Sequence, residues 1–161
     1  MKVLFIHPGK QRSEYQALAD VFTAVAPPVW TALVAHEVRN KGYEVSVHDV
    51  NVQGWDDATA RALLNDHDPA LVVLMVYGHH PSASTQTMPA ASGIARDIKR
   101  LDPGRIVAMG GLHPSALPAR TLAEEAVDYV IQGEGAATIA GLLGHLGGKG
   151  ALSDVGGLWY R

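Results

Sequence analysis

Apolar residues along this chain follow two rhythms: short unbroken runs, and longer stretches in which they return every three or four positions. Val3 to Ile6 is an unbroken run stopped by His7-Pro8-Gly9, the pattern of a strand buried on both faces and ended by a turn. After Pro27-Pro28, Trp30, Leu33, Val34 and Val38 recur at helical spacing until Lys41-Gly42, a basic last turn with a glycine stop. Glu44 to His48 alternates and runs into Asp49, predicting a second strand. Trp55 to Leu64 reads as a second helix with Asp56 and Asp57 at its positive end, broken by Asp68-Pro69. Leu71 to Val76 is wholly apolar and predicts a central parallel strand.

Tyr77 to Pro89 reads as a loop, followed by a third helix whose stripe is Ala91, Ile94, Ala95 and Ile98 and whose end is Asp102-Pro103-Gly104. Arg105 to Met109 is a fourth strand with Gly110-Gly111 as its turn. Leu117 to Ala126 is a short helix and Val127 to Ile131 a fifth strand. Gly133-Glu134-Gly135 then opens a helix from Ala136 to about Leu146. Strands alternating with helices at these spacings predict a flavodoxin-like (Rossmann-like), doubly wound α/β fold, with a five-stranded parallel sheet in the order 2-1-3-4-5 and helices on both faces. In that topology the ligand crevice lies at the carboxyl ends of strands one and three, where the winding reverses, so the loops after the strands carry the chemistry.

Composition narrows the function. With 161 residues, 47% apolar and 18% charged, the chain is one compact domain. A net charge of -3 without a basic stripe lacks the electrostatic footprint of nucleic-acid binding. The absence of cysteine excludes disulfides, thiolate zinc sites and cysteine-held iron-sulfur clusters within this chain. Met1 to Ile6 is too short for a signal peptide and no run approaches the roughly 20 apolar residues of a membrane span, so a cytoplasmic location is expected.

Three loops should converge on the crevice: His7-Pro8-Gly9 onward to Ser13, Tyr77 to Thr87, and Gly110 to Pro118, with Gly133 to Gly135 at its far side. The second begins Tyr77-Gly78-His79-His80-Pro81 and carries hydroxyls at Ser82, Ser84, Thr85 and Thr87 next to a helix start. One helix cap needs one hydroxyl, and so dense a cluster suits a polar, multiply hydrogen-bonding ligand. Gly110-Gly111 and the pair Gly133 and Gly135 remove side chains where a flat ligand could lie, although glycine also simply ends strands. Glu134 either bonds a ligand or caps the following helix. His79, His80 and His113 raise a metal reading. Adjacent histidines chelate poorly, and no carboxylate partner stands at the spacing of a zinc site, so no protein-built metal site is expected.

The stretch Gly110-Gly111-Leu112-His113-Pro114-Ser115 with Leu117-Pro118, then Val127-Asp128-Tyr129-Val130 and Gly133-Glu134-Gly135, resembles the cobalamin-binding domains that precede the catalytic core of cobalamin-dependent radical S-adenosylmethionine enzymes, mainly methyltransferases. The likeness spans nearly the whole chain. The Ser82-Ala83-Ser84 loop is similar to the one on which such domains rest the nucleotide tail, and Gly157-Leu158-Trp159-Tyr160-Arg161 resembles the family's linker. The resemblance implies a corrin ring across the carboxyl edge, its dimethylbenzimidazole tail displaced from cobalt and inserted in the crevice. It also implies residues 1–150 as the cobalamin-binding domain and 151–161 as the start of a linker to a radical S-adenosylmethionine domain that holds S-adenosylmethionine and the iron-sulfur cluster. That domain is the expected partner, and this chain alone is not catalytic. Where related domains carry an Asp-x-His-x-x-Gly motif, this chain has only Ile6-His7-Pro8-Gly9, so no firm cobalt ligand is expected, with His79 or His80 as a weak one. Three rivals remain: a flavin-binding electron carrier, disfavoured because the hydroxyls follow strand three rather than strand one; a receiver-type signalling domain, which lacks its acidic residues; and a plain interaction module.

Overall fold

The computed structural model describes residues 1–9, 27–78 and 81–161. The strands are β1 (Lys2–His7), β2 (Glu44–Asp49), β3 (Leu71–Val76), β4 (Val107–Gly111), β5 (Tyr129–Ile131) and β6 (Leu158–Tyr160). Around them lie helices α1 (Val29–Asn40), α2 (Val50–Gln53), α3 (Asp57–His67), α4 (Pro81–Leu101), α5 (Leu112–Ala116), α6 (Pro118–Glu124) and α7 (Ala136–Leu146). The sheet order is β2-β1-β3-β4-β5-β6, and the first five strands run parallel in the expected doubly wound arrangement.

The expectation of five strands is corrected to six. Leu158–Tyr160, within the segment expected to be linker, lies antiparallel on β5 with Leu158 opposite Ile131. A three-residue strand after two glycines is too short to show a period in the sequence.

Alternation along the strands divides the core into two layers. Leu4, Ile6, Val72, Leu74 and Met109 face Leu64, Ile94, Ile98 and Leu122 from α3, α4 and α6. Val3, Phe5, Val73 and Met75 face Val34, Val38, Ile139 and Leu142 from α1 and α7. The two layers bury β3 completely, as its unbroken apolar run requires. At the amino edge the Asp128 carboxylate accepts from Lys99 Nζ at 2.7 Å and from the Val107 amide at 2.8 Å, which ties β4 to α4 and the start of β5.

Two segments depart from the pattern reading. The stretch expected as loop up to Pro89 is helical from Pro81 onward, with Pro89 inside α4. A proline there removes one helical donor, at about 3 kcal/mol in a helix interior. Ala83, Met88, Ala90 and Ala91 around it are buried, so tertiary packing holds the helix through the proline. Gly110 and Gly111 belong to β4 itself rather than to the turn after it, and a further helical turn, α5, follows directly.

Candidate functional site

Among the described residues, the segments that follow the parallel strands start from one carboxyl rim of the sheet. Each of the residues singled out in the sequence has a definite place there, apart from His79 and His80 and the first loop from residue 10 to Ser13, which lie outside the described residues.

The glycines do different things. At Gly78 a Cβ would come within 2.4 Å of the Ala83 Cβ, so only glycine lets β3 turn into α4. At Gly111, with φ +128, a Cβ would sit 2.1 Å from the Val76 carbonyl oxygen, and at Gly110 it would lie 3.3 Å from Ile131 Cβ. This pair therefore allows β4 to pack between its neighbours. At Gly9 a Cβ would come within 2.9 Å of the Asn51 side-chain oxygen. Gly135 starts α7 in the left-handed region and would meet Ile131 Cγ2 at 3.2 Å. Gly133 alone of these has open space on its side-chain side, with nothing within 4 Å. Its amide donates to Ser115 Oγ at 2.8 Å.

The hydroxyls separate in the same way. Ser84 is fully buried; its Oγ donates to the Val76 carbonyl at 2.5 Å and accepts from the His113 amide at 3.0 Å. One side chain thus ties the ends of β3, α4 and α5 together. Thr87 bonds back to the Ala83 carbonyl within α4. Thr85 faces outward and shares a 2.9 Å hydrogen bond with His113 Nδ1, while Ser82 is exposed. Pro81 opens α4, Pro114 is buried in α5, and Leu112 stands 40% exposed at the rim. His7 and Pro8 close β1, half-buried and buried respectively.

Two residues outside the original set belong to this rim. Trp30, at the start of α1, stacks on Tyr77 with ring centroids 5.9 Å apart and planes 26° from parallel. Thr31, next to it, is fully buried, and its Oγ1 has no hydrogen-bond partner. Burial, and secondarily the Glu134 carboxylate, pushes the Tyr77 phenol above its ordinary pKa. That coupling places the loops after β3 and β5 within electrostatic reach of each other. Trp30 was legible only as a helical apolar position; its value lies in being exposed beside the crevice, which the spacing does not reveal.

The rim can therefore receive a broad ligand. It offers exposed apolar side chains from several elements (Trp30, Val52, Leu112 and Leu117), an open glycine at Gly133, and N-termini of α1 and α7 without side-chain caps. Among the described residues no three His, Asp or Glu side chains gather as a metal cluster. A cavity of about 270 Å³ lies elsewhere, at the amino edge between Asp128, Tyr129, Tyr160 and Arg161. Its polar groups are already engaged: Asp128 with Lys99, and Arg161 with the Leu122 carbonyl. No described helix is long and apolar enough to cross a membrane.

A doubly wound sheet with such a rim defines a ligand-binding domain of Rossmann-like type. A family model described as B12 binding domain matches residues 15–143, and the chain belongs to that family, whose cofactor is cobalamin. Over 162 aligned positions the chain is 26% identical to an uncharacterized methyltransferase of Pyrococcus horikoshii, covering 100% of this chain and 33% of that protein. It is 26% identical over 136 residues to an anaerobic magnesium-protoporphyrin IX monomethyl ester cyclase of Synechocystis, covering 84% of this chain and 26% of that one. Among solved structures, the radical S-adenosylmethionine methyltransferase TsrM from Kitasatospora setae superimposes with a TM-score of 0.77 at 20% identity over 99% of this chain and 28% of its own. The cobalamin-dependent S-adenosylmethionine radical enzyme OxsB gives 0.70 at 19% identity, over 99% of this chain and 20% of its own. These structural likenesses show the shared fold. The chain spans a third or less of each of these relatives.

The rim fits cobalamin on its own evidence. A buried donor without a partner, a glycine facing open space and a collar of apolar side chains suit a large, mostly flat ligand edged with hydrogen-bonding groups.

Proposed function

We propose that this domain holds cobalamin with its nucleotide displaced from cobalt, and serves as the methyl-carrying module of a larger radical S-adenosylmethionine methyltransferase. The observation that carries the reading is the pattern of coverage: 99 to 100% of this chain aligns with one part of TsrM, OxsB and the Pyrococcus methyltransferase, while most of each relative lies outside it. The absence of cysteine supports the same division, since a cysteine-held cluster needs thiolates from elsewhere. In this reading residues 1–150 form the cobalamin-binding unit, and 151–161, with β6 laid on β5, form its junction with the catalytic part.

When bound, cobalamin supplies a cobalt centre able to accept and release a methyl group. The chain's own residues hold and shield it. Gly133 leaves room at the rim, Leu112 and Leu117 present apolar surface, and Thr85 with His113 offers polar groups to the cofactor's amide edge. The Tyr77 end of β3 would stand beside bound cobalamin without supplying a firm cobalt ligand, His79 or His80 being at most a weak one. A phenol held protonated at neutral pH is a poor metal ligand, which agrees with Tyr77 as a neighbour rather than a ligand.

The test is titration with hydroxocobalamin followed by gel filtration, with an electron paramagnetic resonance spectrum of the reduced cob(II)alamin complex. Colour should travel with the protein, and the spectrum should lack coupling to an axial nitrogen. Colourless protein would end the cobalamin reading; axial nitrogen coupling would end the reading of a cobalt without a firm ligand, and its persistence with dicyanocobinamide, which lacks the nucleotide, would assign it to a histidine rather than to the nucleotide base.

A further inference from the structure

The loop after β5 is bonded on two sides. On one, the Gly133 amide donates to Ser115 Oγ at 2.8 Å, which fixes it to α5 at the rim. On the other, the residue before it holds the segment that leads into β6. The Gln132 amide donates to the Gly157 carbonyl at 2.8 Å, and Gln132 Oε1 accepts from the Trp159 indole Nε1 at 2.9 Å. Thr138, in the first turn of α7, adds a bond from its Oγ1 to the Gly156 carbonyl at 2.7 Å. The approach is close: at Gly157, with φ +75, a Cβ would stand 2.8 Å from the Gln132 carbonyl oxygen and 3.0 Å from Thr138 Oγ1. Gln132 and Trp159 are both exposed. An exposed hydrogen bond between two side chains contributes little to the stability of a whole domain. What this one controls is local: whether a three-residue strand at the border of the sheet stays seated on β5, since short border segments open far more readily than a core.

We propose that Gln132 is a positioning residue that couples cofactor occupancy to the seating of β6: cobalamin held against Gly133 fixes the loop from Gln132 to Gly135, and the fixed loop holds Trp159 through the Gln132 side chain. This rests on the functional reading above. The two states are β6 seated, with the bond from Trp159 to Gln132 made, and β6 lifted, with that bond broken. Lifting releases Gln132 and with it the adjacent Gly133, whose open side is where the reading seats the macrocycle. Cobalamin therefore binds the seated form more tightly, because the loop it meets is already ordered. Linkage then requires that bound cobalamin favour seated β6 by the same factor. Residues 151–161 are the junction with the catalytic part in that reading, so the coupling would report a loaded cofactor to the part of the enzyme that uses it.

The experiment measures amide hydrogen exchange at residues 158–160, with and without saturating hydroxocobalamin, in the unaltered chain and in Gln132→Ala, Trp159→Phe and Gln132→Glu. Phenylalanine keeps an aromatic ring but lacks the indole donor, whereas glutamate keeps an oxygen that accepts from it. Hydroxocobalamin should slow exchange about fivefold in the unaltered chain and in Gln132→Glu, the worth of one hydrogen bond, and less than about twofold in Gln132→Ala and Trp159→Phe. A bond with a merely structural role would change exchange in the variants by the same factor with and without the cofactor. No slowing in the unaltered chain, slowing kept in full in Gln132→Ala or Trp159→Phe, or slowing lost in Gln132→Glu overturns the coupling, while colour that stays with the unaltered chain on gel filtration leaves the functional reading standing. An unaltered chain that retains no colour overturns both.

Discussion

Gly111 has no room for a side chain because the carbonyl oxygen of Val76, its partner on the neighbouring strand, occupies the position: a Cβ would approach it to 2.1 Å. The backbone at φ +128 and ψ -177 is also one that only glycine adopts readily. Gly111→Ala combines this strain with overpacking of two central strands, and should destabilise the domain by at least about 3 kcal/mol. Urea unfolding measures it; an alanine variant within about 1 kcal/mol of the parent would mean that β3 and β4 separate easily, contrary to the packing described.

Ser84 is the second place where one small group holds the rim. Removing its hydroxyl leaves the His113 amide without its acceptor and the Val76 carbonyl without that donor. Ser84→Ala should lower stability by about 2 kcal/mol, and Ser84→Thr should recover little because the site is fully buried. Chemical denaturation of both variants gives the comparison.

Gly133 probes the rim without probing the core. Nothing lies within 4 Å of where its Cβ would be, so Gly133→Ala should incur only the backbone strain of φ +88, about 1–2 kcal/mol, and remain folded. Cobalamin retention should nonetheless fall in Gly133→Ala and hold in the remote Lys149→Ala. Matching retention in the two would place the macrocycle away from the loop after β5.

Alkaline pH should weaken the fold. Burial, then Glu134, raises the Tyr77 phenol above its ordinary 10.0, and burial, then Asp128 and Tyr160, raises that of Tyr129. A phenol with a raised folded-state value keeps its proton longer in the folded chain than in the unfolded one. The associated stability is present in full below about pH 10 and is lost as pH climbs through the folded values. Melting temperatures on either side of that pH should show the decline, and Tyr77→Phe should reduce it; an identical profile in the phenylalanine variant would leave Tyr129 as its source.

Parts of this molecule were plain in the sequence because one signal dominated. Leu71–Val76 and Ala136–Leu146 stand where the apolar run and the glycine-bounded helical pattern put them. The winding and the gathering of the loops at one rim followed from the alternation of such elements. Other parts were hidden by competing signals. Pro89 and the crowd of hydroxyls before it look like loop, yet Thr87 and Ser92 satisfy themselves on carbonyls one turn back and leave the helix intact. Gly110 and Gly111 look like room for a ligand, whereas the space beside them is filled by Ile131 and Val76. The Trp30–Tyr77 stack and the lone Thr31 hydroxyl depend on residues brought together by the fold, and no spacing along the chain announces them.

The short strand β6 has a protective consequence. A parallel border strand such as β5, left bare, would present a row of amides and carbonyls able to template the addition of a second molecule. Laying Leu158–Tyr160 across it in the opposite direction moves the border outward to a strip of three residues, fastened by the Trp159 indole to Gln132 and by Tyr160 leaning on Tyr129. So brief a strip offers little purchase for strand-by-strand polymerisation.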